Sequence, residues 1–294
     1  MNKFTHEFIA MGGPCEVSFW LASNNAHSLK DCLEREVRRL ETKYSRFDET
    51  SLLSQINQGK FNRQPLDEET TALLNYAQQC YELSDGLFDI TVGSFRSVWN
   101  FKINKLPSLE EIEEVRSRIG WPNIGWDGQT LEILNQAELD LGGMVKEFAV
   151  DRLVNILLEH QAIGLVNLAG DIGVTGLQVD GSPWHISVVH PRVEGGVIAT
   201  VELHGGAIAC SGDYERFMIV DGCRYHHLIN PKTGYPSLDS LASISVITQN
   251  CLMAGSISTI AMLKGAQAKA WLQEMELPYL AIEADLSLFG SIGV

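Results

Sequence analysis

Hydrophobic spacing changes character near the middle of the chain. Up to about residue 160, apolar positions recur every three to four residues: Leu33, Val37, Leu40 and Tyr44; the run Leu66 to Ser84; Leu109, Ile112, Val115 and Ile119; then Val145, Phe148, Ala149 and Leu153. Each set predicts one buried helix face. Before the first helix, Phe8 to Leu21 reads as two strands joined at Gly12-Gly13-Pro14. Beyond residue 160 the runs are short and alternating. Gly164 to Leu168, Ile172 to Gly176, Trp184 to His190, Val197 to Leu203, Ala207 to Cys210, Phe217 to Val220, Leu241 to Thr248 and Tyr279 to Glu283 predict strands. A small-residue helix, Cys251 to Gly265, and a last helix, Ala266 to Met275, interrupt them. Helices first and strands after, with no regular βαβ alternation, predict an α+β fold of mainly antiparallel sheets and disfavour a doubly wound nucleotide fold. No internal repeat or Pro/Ser-rich linker divides the chain, so residues 1–294 are read as a single domain.

Local signals set the boundaries. An Asn24-Asn25 turn and Ser28 with Asp31 predict the start of the first long helix, and Thr50-Ser51 opens a short one with Leu52, Leu53 and Ile56 inward. Asp67, Glu68 and Glu69 fall where a helix N-terminus favours anions, and Ser84-Asp85-Gly86 ends that helix. Pro107-Ser108 with Glu111 predicts a capping box, and Thr130 to Leu134 alternates as a strand. Ala169-Gly170-Asp171 reads as a tight turn with an acid at its tip. Asp89, Thr91 and Gly93 alternate within the apolar stretch Gly86 to Phe101, which places all three on one side if the backbone there is extended.

Charge and composition remove several functions. The 37 acidic against 22 basic residues give a formal charge of −15, with no basic run to offset it, so a nucleic-acid partner is not expected. No stretch of about 18 apolar residues predicts a membrane span. The first residues lack a signal-peptide core, which predicts a cytoplasmic protein. The six cysteines show no CxxC and no metal-ligand spacing, and they read as reduced, mostly buried thiols; Cys210 and Cys223 flank the segment richest in polar groups.

That segment is Ala209 to Pro236, ACSGDYERFMIVDGCRYHHLINPKTGYP. It holds Ser211 and Asp213 in a turn cluster, an Asp221-Gly222 turn and the pair His226-His227. Adjacent imidazoles on an extended backbone point opposite ways, so one of the two is expected to face a cleft. Upstream, Gly142-Gly143 feeds a helix N-terminus whose first turn carries Lys146, an arrangement suited to an anion but shared with plain turns. Gly255, Ser256, Ser258 and Thr259 leave a helix face with little bulk, which lets a neighbouring element or a ligand approach closely. A zinc set of His185, His190, His226 and His227 lacks the helical spacing such sites use.

Taken together, these segments resemble the FAD:protein FMN transferases, the ApbE-like flavin transferase family, over nearly the whole chain. Ser45-Arg46-Phe47 with Ser51-Leu52-Leu53-Ser54 and Asn57 is similar to that family's SRF(x)3SxLSxxN element. Gly86 to Gly93 resembles GxFDPTVG with Ile90 in place of proline, and Leu139 to Asp151 resembles LDLGGIAKGYAVD with Glu147 where glycine is common. Asn167 to Asp171 matches the NxGG(E/D) turn; SGDYERF and HHLINPKTGYP are similar to SGDYxxxF and SHIIDPRTGxP, with Asn230 in place of aspartate. Cys251 to Thr259 corresponds to AD(A/G)LSTA, and Gly255 occupies its acidic position.

The resemblance implies a T-fold-like architecture with two lobes around a cleft, FAD as substrate, Mg2+, and transfer of FMN to a threonine of a partner flavoprotein with release of AMP. It implies an isoalloxazine face at Phe47 with Met11 beside it, and a pyrophosphate site at Gly142, Gly143 and Lys146. Asp171, Ser211, Asp213 and His227 would line the cleft, with Asp89 a further candidate for the cofactor pocket. His227, Asp213 and Lys146 are the candidate catalytic groups, His227 as a general base near neutral pH or as a positioning group. The metal would be held by the Gly143 carbonyl, Thr259 and the family's helix aspartate. With Gly255 at that last position, Asp171 or Asp213 would have to compensate. The alternative outcomes are FAD binding with weak or no turnover, or FAD hydrolysis to FMN and AMP.

Overall fold

The computed structural model describes residues 1–22 and 25–292. Its frame is an eight-stranded sheet formed by β1 (Asn2–Ala10), β2 (Gly13–Leu21), β3 (Ile163–Leu168), β4 (Asp171–Val174), β5 (Gly206–Gly212), β6 (Ser243–Thr248), β7 (Tyr279–Ile282) and β8 (Leu288–Gly290). Spatial order equals chain order and every neighbouring pair is antiparallel. Two of the joins are two-residue hairpin turns, because Ala10 pairs with Gly13 and Leu168 with Asp171. Both central residues of each turn have positive φ, 52° and 81° at Met11-Gly12, 51° and 100° at Ala169-Gly170. That twist matches the flanking strands. Asp171 is therefore the first residue of β4, and the tip of the turn is Ala169-Gly170.

The helices are α1 (Ala26–Tyr44), α2 (Leu52–Asn57), α3 (Glu68–Leu83), α4 (Leu109–Arg116) and α5 (Val145–Glu159), all between β2 and β3, then α6 (Cys251–Lys264) and α7 (Ala268–Glu274) between β6 and β7. Helix α1 buries Leu33, Val37, Leu40 and Tyr44 in the main core. It starts two residues before Ser28, which is exposed, because Ala26 and Leu29 are buried and Leu29 N–H already bonds Asn25 C=O. Asn25 precedes the helix without a side-chain cap bond, and Asn24 lies outside the described residues. Asp67 caps α3 through Thr70 N–H. The Ser108–Glu111 capping box forms as expected, but Leu109 is 72% exposed and only Ile112 and Val115 carry the buried face of α4, since the helix ends at Arg116 before Ile119. No described helix is long and apolar enough to cross a membrane.

Strand β6 is almost wholly buried because both sheet faces are covered there. Ile244 and Val246 pack with Ile257, Ala261 and Leu272 of α6 and α7. On the other face, Trp184, Ile186, Val201 and Leu203 from the hairpin Trp184–Val189/Val197–Leu203 meet Ile172, Val174 and Ile208. A separate small core joins Phe95, Trp99, Ile112 and Val115 of the long insertion to Met218 of the hairpin Phe217–Val220/Cys223–His226. Trp99 Nε1–H donates to Gly234 C=O at 2.8 Å and Tyr235 OH to Pro107 C=O at 2.9 Å. This second lobe stands beside the sheet and ties the histidine-bearing stretch to it.

Candidate functional site

Three segments far apart in sequence are locked together around the Gly-Gly turn. Arg46 forms an ion pair with Asp140, and Asp140 Oδ1 accepts from Gly142 N–H at 2.8 Å. Asn57 grips Leu139 with its side-chain amide, donating to the carbonyl at 3.0 Å and accepting from the N–H at 2.8 Å. Ser51 Oγ–H donates to Ser45 C=O at 2.5 Å, and Ser94 Oγ accepts from Glu138 N–H at 2.9 Å. Gly93 fits against the same strip: a Cβ there would sit 2.5 Å from Glu138 O. The polar residues of this stretch are thus the framework that holds Phe47 and the glycine turn in register.

Phe47 itself is 79% exposed, with the guanidinium of Arg46 5.0 Å and that of Arg96 5.7 Å from its ring centroid. An aromatic face left open beside two guanidiniums, each paired with a carboxylate, suits stacking of a flat ring. Met11, at the β1–β2 turn, donates its N–H to Glu41 on α1 at 2.7 Å, and a groove of about 730 Å³ runs along that turn past Gly12, Asn167 and Gly170. Asp89 is buried, and its Oδ1 accepts from Thr91 N–H and Oγ1–H at 2.8 and 2.6 Å, while Thr91 Oγ1 accepts from Gly120 N–H. The segment is a turn followed by a short 3-10 helix, not an extended strand, and Asp89 organises it.

The charged centre lies where α5 begins. Lys146 Nζ is 2.8 Å from Asp171 Oδ2. That oxygen is buried and accepts no directed hydrogen bond among the described residues, and the contact is an ion pair. Burial works against the lysine charge, but Asp171 and Glu147 beside it outweigh burial and hold the ammonium above its usual range. Glu147, 8% exposed, is pushed the other way by burial and by Asp171, well above the usual carboxylate range. Across from it, Ser211 Oγ lies 2.8 Å from Ser258 Oγ and 3.4 Å from Thr259 Oγ1. A cavity of about 320 Å³ opens beside Asp171, lined by Gly170, Cys210, Tyr214 and Ser245 among others. The Cys210 thiol is pushed up to about 12 by burial, which makes it a poor nucleophile.

Helices α5 and α6 meet in an antiparallel register that this centre depends on. Asp151 accepts from Cys251 N–H and Leu252 N–H at 2.6 and 2.9 Å, capping α6, and one turn earlier on α5 Glu147 packs on Gly255.

In the long polar stretch, the two imidazoles do part company. His226 is buried and its Nε2–H has Ser237 C=O and Ser240 Oγ as partners at 3.2 and 3.1 Å. His227 Nδ1 lies 3.3 Å from Arg216 C=O; a carbonyl only accepts, so Nδ1 carries the proton and Nε2 presents its lone pair, with no partner among the described residues. Burial, then His226 and Arg216, push the His227 imidazole down to about 4, so it is neutral at pH 7 and a weaker base than an ordinary histidine. Asp213 is clamped by Arg192 at 2.6 and 2.8 Å, a bidentate pair that leaves its carboxylate little freedom to move a proton. Its position suits orientation of Arg192, which nothing in the sequence marks out from other loop arginines.

The comparisons with known proteins fall on this geometry. The ApbE family model matches residues 11–281. The chain belongs to the ApbE family. Among curated relatives, the FAD:protein FMN transferase of Chlamydia trachomatis is 31% identical over 88% of this chain and 83% of its own, and that of Vibrio cholerae is 29% identical over 88% and 80%. Among solved structures, the ApbE protein of Thermotoga maritima superposes with a TM-score of 0.91 at 31% identity, covering 99% of this chain and 97% of that one. The flavin transferase ApbE of Vibrio cholerae gives 0.86 at 25% identity over 99% and 98%. The ApbE fold therefore includes the sheet, both lobes and every segment described above.

Within this ApbE chain, Lys146 and Asp171 are in contact, Ser211 reaches Thr259, and the Arg46–Asp140 pair ties Phe47 to Gly142. Asp89 and Asp213 are held by partners of their own. The oxygens near Lys146 that a hard divalent cation could use are the buried Glu147 Oε2, the Asp171 carboxylate and the Thr259 and Ser211 hydroxyls, and no cluster of three or more His, Cys, Asp or Glu side chains forms a metal seat among the described residues. Sequence reading passed over Glu147 as a site residue. Its signal was an acid at a position where the family has glycine.

Proposed function

We propose that this chain binds FAD and transfers its FMN portion to a threonine hydroxyl of a partner flavoprotein, releasing AMP, with assistance from Mg2+. The observation that carries the reading is the fixed juxtaposition of the open Phe47 face, the Gly142-Gly143 turn and the Lys146–Asp171 pair. In the step itself, the threonine oxygen forms a bond to the FMN phosphorus while the bond from that phosphorus to the bridging oxygen breaks, and AMP departs with the electron pair. His227 Nε2, neutral and unprotonated at pH 7, receives the hydroxyl proton. Lys146 and the Gly143 N–H orient the pyrophosphate, and the two arginines beside Phe47 border the flavin end. Gly143, Thr259, Asp171 and Glu147 are the groups available to the metal. Mg2+, when bound, neutralises phosphate oxygens and the charge that develops on the leaving oxygen.

Incubation with FAD, Mg2+ and a flavoprotein acceptor, read by mass spectrometry, tests this. The expected result is an acceptor heavier by one FMN and an equal amount of AMP. Free FMN with an unmodified acceptor would replace transfer by hydrolysis, and absence of FAD binding in a fluorescence titration would end the reading altogether.

A further inference from the structure

Helix α6 is stripped of side chain at Gly255, and the space is not empty. An ideal Cβ there would lie 2.5 Å from Glu147 Cγ and 3.1 Å from Glu147 Cδ and Oε1. The glutamate of α5 therefore crosses to the position from which a side chain on α6 would otherwise reach the site. Its Oε2 is buried without any hydrogen-bond partner among the described residues, and Glu147 is only 8% exposed. A buried carboxylate oxygen with no donor is costly unless the group takes up a proton or something cationic meets it.

Lys146 does not fill that role. Its Nζ goes to Asp171, so no cation of the protein is paired with the Glu147 carboxyl. Glu215 is a further acid close to Lys146 and Asp171, and neutral oxygens stand nearby. Ser258 Oγ–H donates to Gly255 C=O at 2.9 Å, and Ser211 and Thr259 hydroxyls lie 3.4 Å apart. Thr259 is one helical turn beyond Gly255 on the same face of α6, so Glu147 and Thr259 come to one place from two helices.

We propose that Glu147 is the carboxylate ligand of the divalent-cation seat in this chain, delivered from α5 and made possible by Gly255 on α6. The acid and the glycine of the helix pair have exchanged places relative to the family pattern, and the site keeps its anionic ligand. The inference rests on the FAD-and-metal reading of the site. It removes the ground for expecting a catalytically weak protein from Gly255 alone.

The test measures metal without turnover. Mn2+ binding is followed by electron paramagnetic resonance on the full chain, with and without FAD, while FAD affinity is followed separately by fluorescence. Wild type is expected to take up one Mn2+. Glu147→Gln is expected to weaken Mn2+ by roughly tenfold or more with FAD affinity in the absence of metal retained. The double variant Glu147→Gly with Gly255→Asp, which returns the acid to α6, is expected to recover binding, and it remains informative if the glutamine variant does not fold. Wild-type affinity in Glu147→Gln, no Mn2+ uptake by wild type, or a folded double variant that binds no metal overturns the proposal. Loss of FAD binding with Mn2+ uptake intact would instead overturn the transferase reading and leave the ligand assignment standing.

Discussion

Gly255→Ala isolates the contact on which the helix exchange depends. The substitution adds one methyl group in the middle of α6, where glycine to alanine by itself favours a helix by about 1 kcal/mol. Against that, the methyl carbon would lie 2.5 Å from Glu147 Cγ, a distance that forces a shift. Glu147 is buried, so its stem has little room to retreat, and overpacking of this kind costs about 1–3 kcal/mol. The net expectation is a loss of about 0–2 kcal/mol in wild type. In a Glu147→Gly background the obstacle is gone, and the same Gly255→Ala change should stabilise by up to about 1 kcal/mol. The two residues should therefore show a coupling of about 1–3 kcal/mol in a double-mutant cycle. Urea unfolding of the four proteins at pH 7, without metal or FAD, measures it. Effects that add to within about 0.5 kcal/mol would refute the packing of Glu147 on Gly255 and with it the basis of the exchange.

His227→Ala should lower turnover more than FAD affinity; equal losses would make it a binding group. With its imidazole held near 4 against an ordinary value of about 6.5, His227 makes the fold bind fewer protons than the unfolded chain between those two pH values. Its contribution to stability is thus complete above about pH 6.5 and declines as pH falls toward 4, and the acid limb of the rate profile should lie near 4 and disappear in His227→Ala. A limb at 6.5 would contradict the burial argument. Asp151→Ala removes two charge-assisted bonds to the first N–H groups of α6 and should cost about 2–3 kcal/mol in urea unfolding; a change within about 0.5 kcal/mol would place the α5–α6 register elsewhere.

Much of the fold was legible in the chain itself. The helical spacing of Leu33, Val37, Leu40 and Tyr44, the Ser108–Glu111 capping box and the alternation of Ile163–Leu168 and Trp184–Val189 act over a few residues, and the structure reproduces them, whereas β4, β6 and β7 are buried on both faces. Errors came where burial overrides a local signal. Ser28 has the chemistry of a cap, yet the helix starts earlier because Ala26 and Leu29 have a core to enter. Leu109 fits an apolar stripe, yet nothing packs over it. The family motifs were legible in the same sense: Arg46, Asn57 and Asp140 were visible as a pattern, and only the fold shows that their task is to fasten one loop to another.

What the sequence determined by itself is the inventory of elements and the segments that carry the candidate site, because propensity, capping and motif spacing are short-range. The partners of the charged groups were decided by tertiary structure. Asp213 looked like a free cleft acid and is committed to Arg192; Asp171 looked like the tip of a turn and is the buried partner of Lys146. Glu147 and Gly255, 108 positions apart, read as two separate departures from a family pattern. Antiparallel packing of α5 on α6 makes them a single feature, since only the register of two helices determines which side chain fills the space the other leaves.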